Sequence, residues 1–112
     1  MNSIHSIIYN VADVDAAKAI HTALLGTEPH TDQPYYVGYN VGGVEIALTP
    51  QGAQEGLTAP LAHILVADLD AALTEVQEAG ATLASEPKDV GGGLIATVTD
   101  PDGNTLGLIQ RS

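Results

Sequence analysis

The side chains able to do acid–base or coordination chemistry are few, so they can be taken one by one. His63 and Glu45 are the pair of most interest. Imidazole titrates near neutrality, and a carboxylate on the same surface could hold a ligand or share proton transfer with it. The alternative is a histidine satisfied by neighbouring backbone and a glutamate at a sheet rim. Tyr35, Tyr36 and Tyr39 form the aromatic cluster. Tyrosine offers a flat contact and a hydroxyl handle for a ligand; equally, these rings could replace the missing Phe and Trp in a small core. Strand alternation sets Tyr36 opposite Tyr35 and Tyr39, so at least one ring faces away from the core. His21 falls on a helical stripe and reads as packing. His30, in a polar connection, reads as solvated, and His5 as structural. The run Gly91-Gly92-Gly93 does not open a helix after a strand, so it reads as a flexible loop and not as a phosphate cradle.

The elements that must position these groups are organised by a repeat. Val11-Ala12-Asp13-Val14-Asp15-Ala16-Ala17 returns as Val66-Ala67-Asp68-Leu69-Asp70-Ala71-Ala72. An apolar strand leads into each copy, Ile4 to Val11 and Leu61 to Val66, and a helix follows. Asp13 and Asp68 sit where an N-cap accepts a first-turn N–H, and Asp15 and Asp70 place charge where the helix dipole favours it. Gly26 and Gly80 end the helices. The stripes are Ala17, Ile20, His21 and Leu24 in the first, and Leu69, Ala72, Leu73 and Val76 in the second.

In the first strand Ile7, Tyr9 and Val11 share one face, and Ser6, Ile8 and Asn10 the other. Thr27 to Pro34 is a connection. Strands are expected over Tyr35 to Val41 and Val44 to Thr49, joined by Gly42-Gly43, and a linker over Pro50 to Pro60. The second half adds strands over Ala81 to Ala84, Leu94 to Thr99 and Leu106 to Gln110, with a loop over Glu86 to Gly93. Asp100-Pro101-Asp102-Gly103 is a turn. The expected class is α+β, with two tandem βαβββ modules, 1–56 and 57–112, in a single domain spanning 1–112.

Composition narrows the partners. The formal net charge is −11, with three basic residues among 112. Such a field repels phosphate backbones and anionic lipid surfaces, so nucleic acid and membrane are excluded as partners. With no cysteine there is no disulfide, thiolate ligand or thiol nucleophile. Met1 to Tyr9 has no basic start, and no apolar run approaches the length of a bilayer span. A cytoplasmic protein is expected.

The order of these elements and their joints resembles the vicinal oxygen chelate superfamily of glyoxalases, extradiol dioxygenases, fosfomycin-resistance enzymes and bleomycin-binding proteins. The resemblance rests on Val11-Ala12-Asp13-Val14 through Ile20-His21 to Leu24-Leu25-Gly26, on Val66-Ala67-Asp68-Leu69 through Ala79-Gly80, and on Asp100-Pro101-Asp102-Gly103-Asn104. It implies curled mixed sheets around a concave cavity, with the helices outside. It also implies ligands to a divalent metal at Ser6, Ala47, Leu61 and Gly107. None of these residues offers the usual side-chain donor, so no metal and no other cofactor is expected. On the same implied face lie His63, two residues after Leu61, and Glu45, two before Ala47.

The expected ligand-binding residues are therefore Ser6, Asn10, Tyr36, Glu45, Ala47, His63 and Gly107, with His63 and Glu45 as catalytic candidates. The expected function is binding or sequestration of a small-molecule ligand in a metal-free pocket. The alternatives are an enzyme of the superfamily, with a displaced metal site or His/Glu acid–base chemistry, and an assembly module without a small ligand. Open sheet edges point to a homodimer.

Overall fold

The computed structural model describes residues 2–54 and 59–112. The class is α+β, and the chain divides into two compact units, Ser6–Pro60 and Met1–His5 with Leu61–Ser112.

In the unit Ser6–Pro60 the elements are β1 (Ser3–Asn10, whose first residues belong to the other unit), α1 (Val14–Leu25), β2 (Thr31–Gln33), β3 (Tyr36–Val41), β4 (Val44–Thr49) and α2 (Gln51–Gln54). The strands run in the order β2-β3-β4-β1, with β4 parallel to β1 and the other neighbours antiparallel. Asp13 caps α1, its carboxylate accepting from the Ala16 N–H at 3.0 Å, and Gly26 ends it at φ 69° with its N–H on the Thr22 carbonyl. A cap of this kind contributes about 1 kcal/mol.

The core of this unit is Val37, Tyr39 and Leu48, with Tyr9, Val11, Val14, Ala17, Leu25 and Ile46 packed against it. The odd-numbered face of β1 and β3 therefore meets α1, and Ser6, Ile8, Asn10, Tyr36, Gly38, Glu45 and Ala47 occupy the opposite face. His21 packs on Tyr9, with ring centroids 4.9 Å apart, and its Nδ1 lies 2.9 Å from the Ala17 carbonyl.

The unit containing Leu61–Ser112 repeats the plan with β5 (Leu61–Leu65), α3 (Leu69–Glu78), β6 (Thr82–Asp89), β7 (Gly93–Thr99) and β8 (Thr105–Arg111). Its order is β5-β8-β7-β6, with β5 and β8 parallel and the others antiparallel. Asp68 caps α3 through the Ala71 N–H. Leu69 and Leu73 join Val66, Ala96, Val98 and Leu108 in the core, so His63, Gly107 and Thr97 stand on the face away from the helix. The Asp100 carboxylate accepts from the backbone of Asp102 and Asn104 and from the Asn104 amide, which closes the turn before β8.

Several sequence expectations change. In α1, Ile20 and Leu24 are 65% and 77% exposed; the half-buried stripe that meets the core runs through Val14, Ala17, His21 and Leu25, one position round the helix. The polar connection before Tyr36 contains the three-residue strand β2, too short to show alternation. Tyr35 lies outside β3 and is exposed. The loop expected over Glu86 to Gly93 is mostly strand. β6 continues to Asp89 through two register shifts, and a tight turn with Gly91 at φ 93° leads into β7 at Gly93. The chain leaves α3 through Ala79 in right-handed geometry, with Gly80 following at φ 121°. The linker expected over Pro50 to Pro60 begins in α2, and residues 55–58 of it lie outside the described residues.

Candidate functional site

On the face of the first unit turned from α1, three side chains converge over Gly38. Tyr36 Oη donates to Glu45 Oε2, and Glu45 Oε1 lies 2.7 Å from His30 Nε2. The other His30 nitrogen, Nδ1, lies 2.8 Å from Thr31 Oγ1. The carboxylate is half-buried and belongs to β4, the phenol to β3, and the imidazole to the residue just before β2. Burial first, then the hydrogen bond to Glu45 and its charge, push the Tyr36 phenol above its ordinary range. Tyr36 is therefore a fixed donor.

Gly38 is the floor of this cluster. A methyl there would come within 2.6 Å of Glu45 Oε2, 2.7 Å of Tyr36 Cε1 and 3.0 Å of His30 Cε1. The missing side chain is what lets the three groups lie close over the strand.

Around the cluster, Ser6 is buried and is the β1 register partner of Glu45. Ala47 is fully buried, between Ile8 on β1 and Gly38 on β3. Asn10 uses its amide on the Ala59 carbonyl at 2.9 Å, and a side chain at Gly52 would collide with its Oδ1. Asn10 thus ties down the chain after β4.

In the second unit, His63 is 7% exposed, and neither ring nitrogen has a hydrogen-bond partner among the described residues. Burial, and to a lesser extent the nearby charge of His5, hold its imidazole below the ordinary value. The ring leans over Gly107, its β8 register partner; a methyl at Gly107 would meet His63 Cδ2 at 2.7 Å.

Tyr36 and Glu45 are thus brought together in one unit, with Ser6 and Ala47 on the same face, while His63 and Gly107 are brought together in the other. His30 was missed as a member, because a histidine between Pro29 and Thr31 gives no periodic signal. Its place is set by the β2–β3 pairing, in which the His30 N–H bonds the Gly38 carbonyl at 2.9 Å.

The positions implied for a metal do not fit one. Ala47 and Gly107 carry no donor atom, and Leu61 is apolar. Glu45, the nearby carboxylate, is committed to Tyr36 and His30. Among the described residues no three His, Cys, Asp or Glu side chains come together.

Comparison with known proteins agrees with this architecture. The model of the Glyoxalase/Bleomycin resistance protein/Dioxygenase superfamily matches residues 3–108. Curated proteins give no match. Among solved structures, a superfamily member from Vibrio splendidus 12B01 superposes with a TM-score of 0.70 at 20% identity, covering 100% of both chains. A methylmalonyl-CoA epimerase from Mycobacterium tuberculosis gives 0.71 at 17% identity, over 97% of this chain and 87% of that one. The Mn(II)-bound glyoxalase from Novosphingobium aromaticivorans gives 0.70 at 23% identity, over 98% of this chain and 40% of that one. At these identities the likeness is one of fold, and the family match covers nearly the whole length: the chain belongs to the Glyoxalase/Bleomycin resistance protein/Dioxygenase superfamily.

Proposed function

We propose that this protein binds a small molecule without a chelated metal, on the sheet face that carries Tyr36, Glu45 and His30, and that it acts in the cytoplasm by binding or sequestering its ligand. The observation that supports this is the Glu45 carboxylate, half-buried on the face away from the helix and held by a phenol and an imidazole. Among the described residues no lysine or arginine pairs with it, and the chain carries a formal charge of −11. Neutral or cationic compounds are therefore preferred over anions.

A second reading, an acid–base enzyme, is favoured by the chain of contacts from Thr31 through His30 to Glu45. There a proton acceptor is already oriented by a carboxylate. In this reading Glu45 and His30 move the proton, and His63 is the further candidate.

A thermal-shift screen of neutral, cationic and anionic small molecules, followed by backbone NMR, tests both. The expected result is a neutral or cationic hit that shifts Tyr36, Glu45 and Ala47 and binds Glu45→Gln roughly tenfold more weakly. Binding that is indifferent to Glu45→Gln, with no turnover lost in that variant, overturns the site. Chemical turnover of the hit, lost in Glu45→Gln while binding persists, selects the enzyme. A chain that binds nothing but assembles is an interaction module.

We also propose a homodimer, supported by the apolar side chains that α1 leaves exposed, Ile20 and Leu24 on successive turns. Sedimentation equilibrium should give twice the mass of the 11.5 kDa chain, and a single-chain mass at micromolar concentration refutes it.

A further inference from the structure

On the side of the second unit's sheet that α3 covers there is a cavity of about 190 Å³. Its wall is apolar: Ala72 and Val76 of α3, Ile64 of β5, Val98 of β7 and Leu108 of β8. Its rim is Asn2, Glu75 and Leu106, all of them exposed. Every one of these residues belongs to the same unit.

The repeat accounts for the space. Counted from Val11 and Val66, Ile64 answers Tyr9, Ala72 answers Ala17, and Val76 answers His21. Strand register extends the match. Ile8, Ala47 and Gly38 answer His63, Gly107 and Thr97, so Tyr39 is answered by Val98. In the first unit three rings crowd this place: Tyr39 is fully buried, and His21 packs on Tyr9 with ring centroids 4.9 Å apart. In the second unit one isoleucine and two valines stand in for them, while the helix residue beside them is alanine in both. Leu73, which answers the exposed Lys18, enters the core and takes up part of the volume. The rest is the cavity.

We propose that this cavity binds a small aromatic amine, with its ring against Ile64, Ala72, Val76 and Val98 and its ammonium group at Glu75. The inference does not depend on the site at Tyr36 and Glu45, which lies in the other unit and on the sheet face away from the helix. Two features select the occupant. An apolar cavity stays dry and takes up an apolar group of matching size, and what the second unit lacks at this place is aromatic rings. Glu75 pairs with no cation among the described residues, and the chain as a whole is strongly acidic, so a positive charge on the ring is favoured over none, and a negative one is repelled. The carboxylate stands at the rim, so the ammonium group keeps its water and only the ring is desolvated.

Benzylamine, benzyl alcohol and benzoate share a shape and differ in charge. Each is titrated into the full chain while methyl ¹³C spectra are followed. Benzylamine should move the methyl groups of Ile64, Val76, Val98 and Leu108. Benzyl alcohol should bind roughly threefold more weakly, and benzoate more weakly still. Glu75→Gln, a change at an exposed position, should weaken benzylamine by roughly threefold and leave benzyl alcohol unchanged. Val76→Phe, which puts a ring back into the space, should weaken both by roughly tenfold or more. Should that variant fail to fold, Glu75→Gln decides alone.

The site is overturned if millimolar benzylamine leaves these methyl groups unmoved, if benzoate binds best, or if Glu75→Gln binds benzylamine as the wild type does. Methyl shifts that follow protein concentration and ignore the probe also overturn it, because a second copy of the chain then covers the cavity. Benzylamine shifts confined to Tyr36, Glu45 and Ala47 overturn it and leave the proposed function standing. Shifts at Val76 and Leu108 that Glu45→Gln does not alter support this site whatever becomes of the other.

Discussion

The two units carry the same four-stranded pattern, and the repeat aligns their faces. Ile8, Ala47, Gly38 and Thr31 form one register row in the first; His63, Gly107, Thr97 and Ser85 form the matching row in the second. Their polar chemistry differs. In the first unit the groups over the glycine satisfy one another: Tyr36 donates to Glu45, and Glu45 contacts His30. In the second, an imidazole stands where the first has isoleucine, and its nitrogens meet nothing among the described residues. One face is internally satisfied and the other buries unmet hydrogen-bonding capacity. The same backbone plan therefore supports a satisfied polar cluster and an unsatisfied buried imidazole, and the choice rests on a few side chains.

The largest expected effect is at the glycines. A methyl at Gly107 meets the Ala62 carbonyl at 2.9 Å as well as the His63 ring, and that carbonyl is fixed by strand pairing. Gly107→Ala should destabilise by about 1–3 kcal/mol in urea unfolding. At Gly38 the obstacles are the ends of flexible side chains, so Gly38→Ala should cost less while dispersing the Tyr36–Glu45–His30 cluster, visible as a shift of the Tyr36 ring resonances. Equal costs at both glycines would break the comparison.

The next effect is one of sign. Tyr36→Phe removes a donor from a half-buried carboxylate and should destabilise by about 1 kcal/mol. His63→Leu removes two unmet buried nitrogens and should be neutral or stabilising by up to about 1 kcal/mol. If both variants lose stability alike, His63 has a partner in solution and the two faces are not different in kind.

The smallest effects are in pH dependence. His63 is held below its ordinary value, so the unfolded chain takes up a proton before the folded one does. Stability should fall as pH drops below about 6.5, and level off below the lowered value. Tyr36 is raised, so the unfolded chain loses its proton first. Above pH of about 10 stability should fall as pH rises. His63→Leu should flatten the acid limb alone, and Tyr36→Phe the alkaline limb alone, in thermal unfolding followed across pH.

How far these features were legible varies with how local their causes are. The caps at Asp13 and Asp68, the turn at Asp100 and the strands bearing Glu45 and His63 follow from short-range patterns, and the sequence carries those openly. The face assignment of Ser6, Tyr36, Glu45 and Ala47 follows from period-2 alternation once the helix side is known. Ile20 and Leu24 misled because an alanine-rich helix has apolar residues all round, so hydropathy alone does not select the buried stripe. His30 was invisible because its contact with Glu45 spans a connection whose path is set by the β2–β3 pairing. The orphaned state of His63 is a property of packing, which no residue type announces.

The irregular course of β6 has a consequence for behaviour at high concentration. This strand ends its unit's order, and along Thr82–Asp89 it carries two register shifts together with Glu86, Pro87, Lys88 and Asp89. An outer strand that is kinked, charged and interrupted by proline offers no straight ladder for another chain to extend. Concentrated solutions should therefore resist strand-by-strand fibre growth at this border, and any self-association is directed to surfaces that do not use backbone pairing there.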